Sequence, residues 1–553
     1  MSTDIHGLGV SSGVVCAPWI GFGTVIETSA GDPVTGTPAD ELVRVRSALD
    51  TVASDLESRA DGVDGVAAEI LVTSAALARD PGIVKETSKN LEAGLPTAYS
   101  VTVAFEGFCD KLAALGGYMA ERVTDLRDLG RRTVAVLLDQ PLPGIPAPGH
   151  PYILVARDLA PADTATLAGS DVIGLLTLEG GPTSHTAILA KSLGIAAVVS
   201  CPEALALPDG VLLILDGSTG EVVVDPTAEQ QERAALEIAA AAARTASGSG
   251  PGRTLDGTGV GLLANIGTLD DASRAGVVDC EGVGLFRTEF SFLGRTEEPS
   301  LAEQTEMYTA VLQHFSGRKV VVRTLDSGSD KPLPFLDLAE EANPALGIRG
   351  LRIADVYPQT LITQLDALAA AGLATGADLW VMAPMVSTAD EAIGFAELAR
   401  SRGITTVGAM IEVPAAALRA KDIFEHLDFV SIGTNDLSQY TCAVDRMAGG
   451  LAHLLDPWQP AVLDLIALVG AAGAAAGKPV GVCGEAASDP LLAPVLVGLG
   501  VTSLSMSTPA LGEVRARLAA VDMDGCRAMA AAARAARNPV GGRAAVLEIR
   551  ESL

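Results

Sequence analysis

One histidine stands apart from the other five in this chain. His185 sits in Glu179-Gly180-Gly181-Pro182-Thr183-Ser184-His185-Thr186, a loop that follows an apolar stretch and opens the helical run Ala187–Gly194. The two glycines allow a tight turn, and Thr183 or Ser184 can cap the helix. The imidazole then lies where free N–H groups and the helix dipole favour an anion. A neutral ring nitrogen is a competent nucleophile near neutral pH, so this position suits a histidine that carries a phosphoryl group. Taken alone, the loop equally fits a capped helix with an incidental histidine.

A second constellation lies downstream. Arg287 and Arg323 follow apolar stretches, in Gly284-Leu285-Phe286-Arg287-Thr288-Glu289-Phe290 and Val322-Arg323-Thr324-Leu325-Asp326, and Arg349 and Arg446 add two more guanidiniums. Forked guanidinium donors match phosphate and carboxylate oxygens, so a small substrate bearing both groups would satisfy them. Glu412 and Asp436 are the best metal ligands: two carboxylates, completed by substrate oxygens and water, suit Mg²⁺. The alternative is that these carboxylates hold arginine side chains. Gly433-Thr434-Asn435-Asp436 offers backbone N–H groups after a strand. Cys483, between Val482 and Gly484, can exchange a proton there, or simply pack as buried cysteines do.

These residues need elements to hold them. Residues 1–25 read as short strands, and from about Ala39 to Leu138 apolar residues recur at helical spacing (Leu42, Val45, Leu49, Val52, Leu56), giving about four helices. From Gly149, YILVA, VIGLLTL, AAVVS, VLLILD and EVVVD read as strands interleaved with helical pieces such as 162–168. The helical stretch is therefore an insertion in an α/β domain. An Ala/Glu-rich helix from 228 to 246 and the Ser247–Gly252 linker follow. The remaining residues suit a (β/α)₈ barrel. Strand candidates there are GVGLLANI, GVGLFRT, KVVVRTLD, LWVMAPM, TTVGAMIE, FVSIGTND and PVGVCGE, with a weak eighth expected between Leu346 and Leu361. On this count Arg287 ends the second strand, Arg323 the third, Glu412 the sixth, Asn435 and Asp436 the seventh, and Cys483 and Glu485 the last. Parallel barrels carry their chemistry on that rim. The domain plan is 1–30 with 145–228, an insert at 31–144, a linker at 229–252 and a barrel at 253–553.

Composition narrows the classes. A formal charge of −30 argues against nucleic acid as partner. The seven cysteines are scattered, with no C-x-x-C pair, which argues against a disulfide framework or zinc cluster and for a reducing, cytoplasmic setting. The first residues do not read as a signal peptide. No apolar run approaches membrane-spanning length without polar interruption, so no membrane insertion is expected.

Together the segments GGPTSHTAILAKSLGIAAVV, GVGLFRTEF, VVVRTLDSGSDKPLPF, NPALGIRGLR, GAMIEVPAA, DFVSIGTNDLSQYTCAVDR and GVCGEAASD resemble, in this order, Enzyme I of the phosphoenolpyruvate:sugar phosphotransferase system over nearly the whole chain. The resemblance implies an α/β multidomain protein: a swivelling phosphohistidine domain with a helical insert, then a (β/α)₈ barrel. It implies that His185 is phosphorylated, and that Arg287, Arg323 and Arg446 bind phosphoenolpyruvate with Asn435. Arg349 lines the same pocket, Glu412 and Asp436 hold Mg²⁺, and Cys483 protonates the enolate to pyruvate. The insert would dock the phosphocarrier HPr and the barrel would form a homodimer.

The chain departs from the family pattern in places. Asp326-Ser327-Gly328-Ser329-Asp330-Lys331 replaces the usual Asp-Ile-Gly-Gly-Asp-Lys, Lys191 replaces Arg, Met447-Ala448 follows Arg446, and Ser12 replaces Pro. None of these removes a proposed catalytic group. A dikinase or phosphoenolpyruvate synthase would need an ATP-binding domain before the histidine, and the residues preceding His185 contain no P-loop. A degenerate regulatory paralogue is the remaining rival, supported by the altered Ser327/Ser329 loop.

Overall fold

The computed structural model describes residues 3–552 apart from 12, 23–27, 61–70, 72–73, 116–122, 141, 143, 160–162, 164–166, 168, 182–184, 209, 248, 293–294, 329–332, 340 and 446–448. The chain divides into two compact units, Met1–Ile238 and Ala239–Leu553.

The first unit is built on a mixed sheet. Its strands are β1 (Thr3–His6), β2 (Leu8–Ser11), β3 (Val14–Gly21), β4 (Tyr152–Ala156), β5 (Val172–Thr177), β6 (Ala196–Val199), β7 (Leu212–Asp216) and β8 (Glu221–Val224), in the order β1-β8-β7-β3-β4-β5-β6-β2. Strands β3, β4, β5 and β6 run parallel; the outer pairings are antiparallel. Both faces of β4 are buried, as the continuous apolar run YILVA requires. β3 pairs directly with β4 although 130 residues separate them in sequence (22–151). Helices Pro38–Ala60, Pro81–Glu92, Thr97–Leu115 and Val123–Leu137 occupy that interval. Val45, Leu49, Val52 and Leu56 are fully buried in a core these helices make among themselves, with Val101, Phe105 and Leu129. The helical spacing read from the sequence is thus spent on an independent apolar core.

The second unit is a closed barrel of eight parallel strands: β9 (Gly261–Ile266), β10 (Gly282–Arg287), β11 (Lys319–Arg323), β12 (Asp378–Ala383), β13 (Thr406–Ile411), β14 (Phe429–Ile432), β15 (Val480–Val482) and β16 (Ser503–Met506). The expected eighth strand between Leu346 and Leu361 is not one: Gly350–Asp355 is a 3₁₀ turn and a helix begins at Pro358. Barrel closure comes from β16, which pairs with both β15 and β9. Its sequence, Ser503-Leu504-Ser505-Met506, is short and alternates serine with apolar residues, so it lacks the apolar run that marked the others. Consequently Glu412 follows the fifth strand, Asn435 and Asp436 the sixth, and Cys483 the seventh rather than the last.

Alternate residues of each strand face the barrel interior, where Leu285, Val321, Met382, Met410, Phe429 and Cys483 pack together. The outward faces pack under helices in one large core. The segment His453–Ala476 is long and apolar enough to cross a bilayer by length and mean hydropathy alone. Here Val462, Leu463, Ile466 and Val469 of helix Pro460–Ala476 are buried in the barrel's outer core.

Candidate active site

Strand register sets the level of each rim residue. Ile411 pairs with Ile432, and Ile432 with Val482. The next residues, Glu412, Gly433 and Cys483, therefore leave the sheet at one height on three adjacent strands. On the other side Arg287 pairs with Arg323, and Arg323 with Met382.

Arg323 is buried. Its Nη2 donates to Glu289 Oε1 at 2.6 Å and its Nη1 faces Asp326 Oδ2 at 2.9 Å. Its Nε is buried without a partner among the described residues. Arg287, half-buried at the end of β10, pairs with no carboxylate among the described residues. Both guanidiniums thus keep donors for a ligand, Arg287 the more so.

Arg349 behaves differently. It is 1% exposed and forked on both sides. Nε and Nη2 donate to Asp326 at 3.1 Å each, while Nη1 and Nη2 donate to Asp436 at 3.0 and 3.2 Å. Tyr440 lies 3.4 Å from Nη1. Arg349, expected to line the pocket with Arg323, shares Asp326 with it, and its donors are engaged by carboxylates. It is a strut between the Asp326 loop and the helix Thr434–Cys442.

Glu412 is 1% exposed. Its Oε1 accepts from the Met385 amide at 2.6 Å. Met385 has φ 57°, a left-handed conformation uncommon for a side chain of this size, and that conformation aims its N–H at the carboxylate. Burial, with Asp436 and Asp326 nearby, pushes the Glu412 carboxyl well above the usual carboxylate range. Asn435 Oδ1 accepts from the Glu485 amide at 3.1 Å, and so ties the rim of β14 to that of β15. Cys483 is 2% exposed, its thiol 3.7 Å from the Ile432 carbonyl. Burial pushes its thiol up to about 11 despite the opposing effect of Ser431 and of the arginines, so it is held protonated.

Among the described residues no group of three or more His, Cys, Asp or Glu could hold a metal. A two-carboxylate Mg²⁺ site completed by substrate oxygens asks for fewer protein ligands. Glu412 and Asp436 fit that donor set: one is a buried carboxylate raised by its acidic neighbours, which a cation would relieve, and the other is paired with Arg349.

In the first unit His185 is the first residue of the helix His185–Leu193. The chain reaches it through Gly180, whose φ of 97° requires a glycine. The Gly180 carbonyl accepts from the Ser200 hydroxyl, and the Glu179 carbonyl accepts from Thr177 Oγ1 at 2.7 Å. Thr186 Oγ1 donates to Asp158 at 3.1 Å. The expected cap residues Thr183 and Ser184 lie outside the described residues, as do Arg446 with Met447-Ala448, Ser12, most of 162–168, and Ser329-Asp330-Lys331. Ser327 is described: it is buried and its carbonyl accepts from the Gly350 amide at 2.9 Å, with no positive φ.

Sequence reasoning passed over Glu289, Asp326, Met385 and Gln364. Glu289 and Asp326 stand inside the quoted motifs, but Glu289 holds Arg323 of the next strand, not the neighbouring Arg287, and Asp326 holds both Arg323 and Arg349. Gln364 lies mid-helix, yet it bonds the Leu325 amide (2.9 Å), Thr288 (3.1 Å) and Tyr308 (3.0 Å) beneath the site; nothing in its local pattern marks it.

Comparison with known proteins now bears on this geometry. Three models of PEP-utilising enzymes match in succession: the N-terminal domain over residues 6–122, the mobile domain over 148–220 and the PEP-binding domain over 242–523. A phosphoenolpyruvate-protein phosphotransferase of Streptomyces coelicolor is 47% identical over 548 residues, 99% of each chain. One from Haloferax volcanii is 42% identical over 82% of this chain and 81% of its own. One from Geobacillus stearothermophilus is 38% identical over 93% and 92%. With His185 opening a helix in the matched mobile domain and the arginine–carboxylate rim in the matched PEP-binding domain, the chain belongs to the phosphoenolpyruvate-protein phosphotransferases, the Enzyme I family of the sugar phosphotransferase system.

Proposed function

We propose that this chain transfers the phosphoryl group of phosphoenolpyruvate to its own His185, releasing pyruvate, and then passes it to a histidine of the phosphocarrier HPr. The observation that carries the reading is the division of labour among the rim cations. Arg287 and the Arg323 Nε retain free donors beside a buried carboxylate and a protonated thiol.

Arg287 and Arg323 bind the phosphate and carboxylate of the substrate, with Asn435 and Arg446 assisting. Mg²⁺, held by Glu412 and Asp436, would offset charge on the transferring group and the enolate oxygen. Glu289 and Asp326 hold Arg323 in place, so little order is lost when substrate arrives. The Cys483 thiol, kept neutral by burial, gives its proton to the methylene carbon of enolpyruvate. His185 receives the phosphoryl group at a helix N-terminus, where backbone N–H groups favour the added charge. Since His185 and the barrel belong to different compact units, transfer requires the two to approach and separate, a gating motion. The helical insert docks HPr, and the barrel forms a homodimer. Seven free cysteines accord with work in the reducing cytoplasm.

Incubation with ³²P-labelled phosphoenolpyruvate should give acid-labile, Mg²⁺-dependent label that His185→Ala abolishes and that passes to HPr. Label that requires ATP would return the dikinase reading; no label from any donor would return the regulatory paralogue. Glu412→Gln should slow autophosphorylation by a factor on the order of 10²–10³ while leaving exchange between phosphorylated chain and HPr near the wild-type rate. Equal loss of both half-reactions would refute the division of chemistry between His185 and the barrel rim.

A further inference from the structure

A thiol that has given its proton to a carbon must be reprotonated before the next turnover. Cys483 is sealed at the rim, so where that proton comes from is a question of what lies beneath it. Below the arginine level the barrel interior is apolar on one side. On the other it is lined by small and polar residues: Ser431 on β14, Gly481 on β15, Ser503 and Ser505 on β16, and Gly284 on β10. Together with Lys319, at the start of β11, these enclose a cavity with about 10 Å³ of space for the centre of a water molecule. That is close to the least volume that holds one water, and a water needs two to four polar partners. The partners are present. A Cβ built on Gly481 would meet Ser503 Oγ at 3.1 Å and Ser431 Oγ at 3.4 Å, so both hydroxyls converge on the space this glycine leaves open. Neither has another side-chain or backbone partner among the described residues, apart from the interaction of Ser431 with Cys483. Ser505 is committed to Asn265 Oδ1 at 2.6 Å.

We infer that Ser431, a water in this cavity and Lys319 form a proton path that reloads Cys483 from the N-terminal mouth of the barrel. Ser431 pairs with Gly481 across β14 and β15, and Cys483 lies two residues beyond Gly481 on the same inward face, so Ser431 lines the cavity on the side of the thiol. Lys319 closes the far end. Its Nζ lies 3.5 Å from the centroid of the Trp380 ring and 5.9 Å from that of Phe429, and it is only half-buried, so it meets solvent at the opposite end from the substrate. Burial brings its ammonium down to about 8, within reach of giving up a proton near neutral pH. The step balances. The S–H bond of Cys483 breaks as a C–H bond forms at the methylene carbon of enolpyruvate. The thiolate then takes the Ser431 hydroxyl proton while the water supplies Ser431 and Lys319 supplies the water, and solvent restores Lys319. Ser431 and Lys319 act through Cys483 and are positioning residues.

This inference rests on Cys483 as the proton donor, and one assay separates the two. The unphosphorylated protein with Mg²⁺ and pyruvate in D₂O should exchange the pyruvate methyl hydrogens, read by proton NMR. Gly481→Ala fills the water's space without approaching the substrate, Ser431→Ala removes the relay hydroxyl and Lys319→Met removes the entry. Each should lower exchange roughly tenfold or more, with phosphoenolpyruvate affinity by calorimetry unchanged. Three variants at three points protect the test against one that fails to fold. Wild-type exchange in all folded variants, with exchange abolished in Cys483→Ala, would overturn the path and leave the donor assignment standing. Wild-type exchange in Cys483→Ala would overturn both.

Discussion

Replacing Arg349 distinguishes a strut from a substrate arm. Its guanidinium makes four contacts of 3.0–3.2 Å with two carboxylates, 1% exposed. Arg349→Met would take the guanidinium from Asp436, 7% exposed, and one of two guanidiniums from Asp326, which keeps Arg323. Removing one partner of a buried pair costs about 3–5 kcal/mol, because the other charge stays buried and uncompensated. Arg349→Lys keeps the charge but not the fork, so it should recover part of that loss. Two of the three tryptophans, Trp380 and Trp458, lie in the barrel, so denaturant titration followed by tryptophan fluorescence reports mainly on this unit. Saturating Mg²⁺ should offset part of the Arg349→Met loss by pairing with the released Asp436. In steady-state kinetics the KM of Arg349→Lys for phosphoenolpyruvate should change by less than about threefold. A KM raised by more than tenfold with stability unchanged would show that Arg349 binds substrate directly, and the strut assignment would be wrong.

Two further outcomes follow from the buried charges. Because the folded Glu412 carboxyl is raised, the folded state holds more protons than the unfolded one between the ordinary carboxylate range near ~4 and about 8. Barrel stability without metal should therefore fall as pH rises through that window, and Mg²⁺ should flatten the slope; a metal-free stability that is flat or rises between pH 5 and 8 would contradict the crowding of Glu412, Asp436 and Asp326. In the first unit Arg132 is fully buried, with Nε 2.5 Å from Asp128 and Nη2 on Asp163, whose carboxyl is pushed up to about 7 by burial and by Asp128. Arg132→Met should cost about 3–5 kcal/mol, less at pH 5 than at pH 8, as the Asp163 carboxyl takes up a proton; an equal loss of thermal stability at both pH values would contradict the raised Asp163 carboxyl.

Much of this protein is local pattern and could be read as such. Continuous apolar runs marked seven of the barrel strands, and the polar residues at their ends marked one rim, because a parallel strand buried on both faces must be apolar until it leaves the sheet. The Gly-rich loop placed His185 at a helix start for the same local reason. The eighth strand escaped notice because its interior face is serine, and serine suits that strand only where a facing glycine leaves room.

Which partner each charge takes was beyond the sequence. Arg323 ends an apolar strand and Arg349 follows Leu346-Gly347-Ile348, and neither context foretells that one keeps a free Nε while the other is locked between Asp326, 23 residues away, and Asp436, 87 residues away. Those pairings depend on barrel register and on the path of the loop after β11, set by contacts distant in sequence. The sequence by itself determined which groups reach the rim; the tertiary structure decided which remain free there, because a guanidinium has a fixed number of donors and only three-dimensional neighbours decide where they are spent.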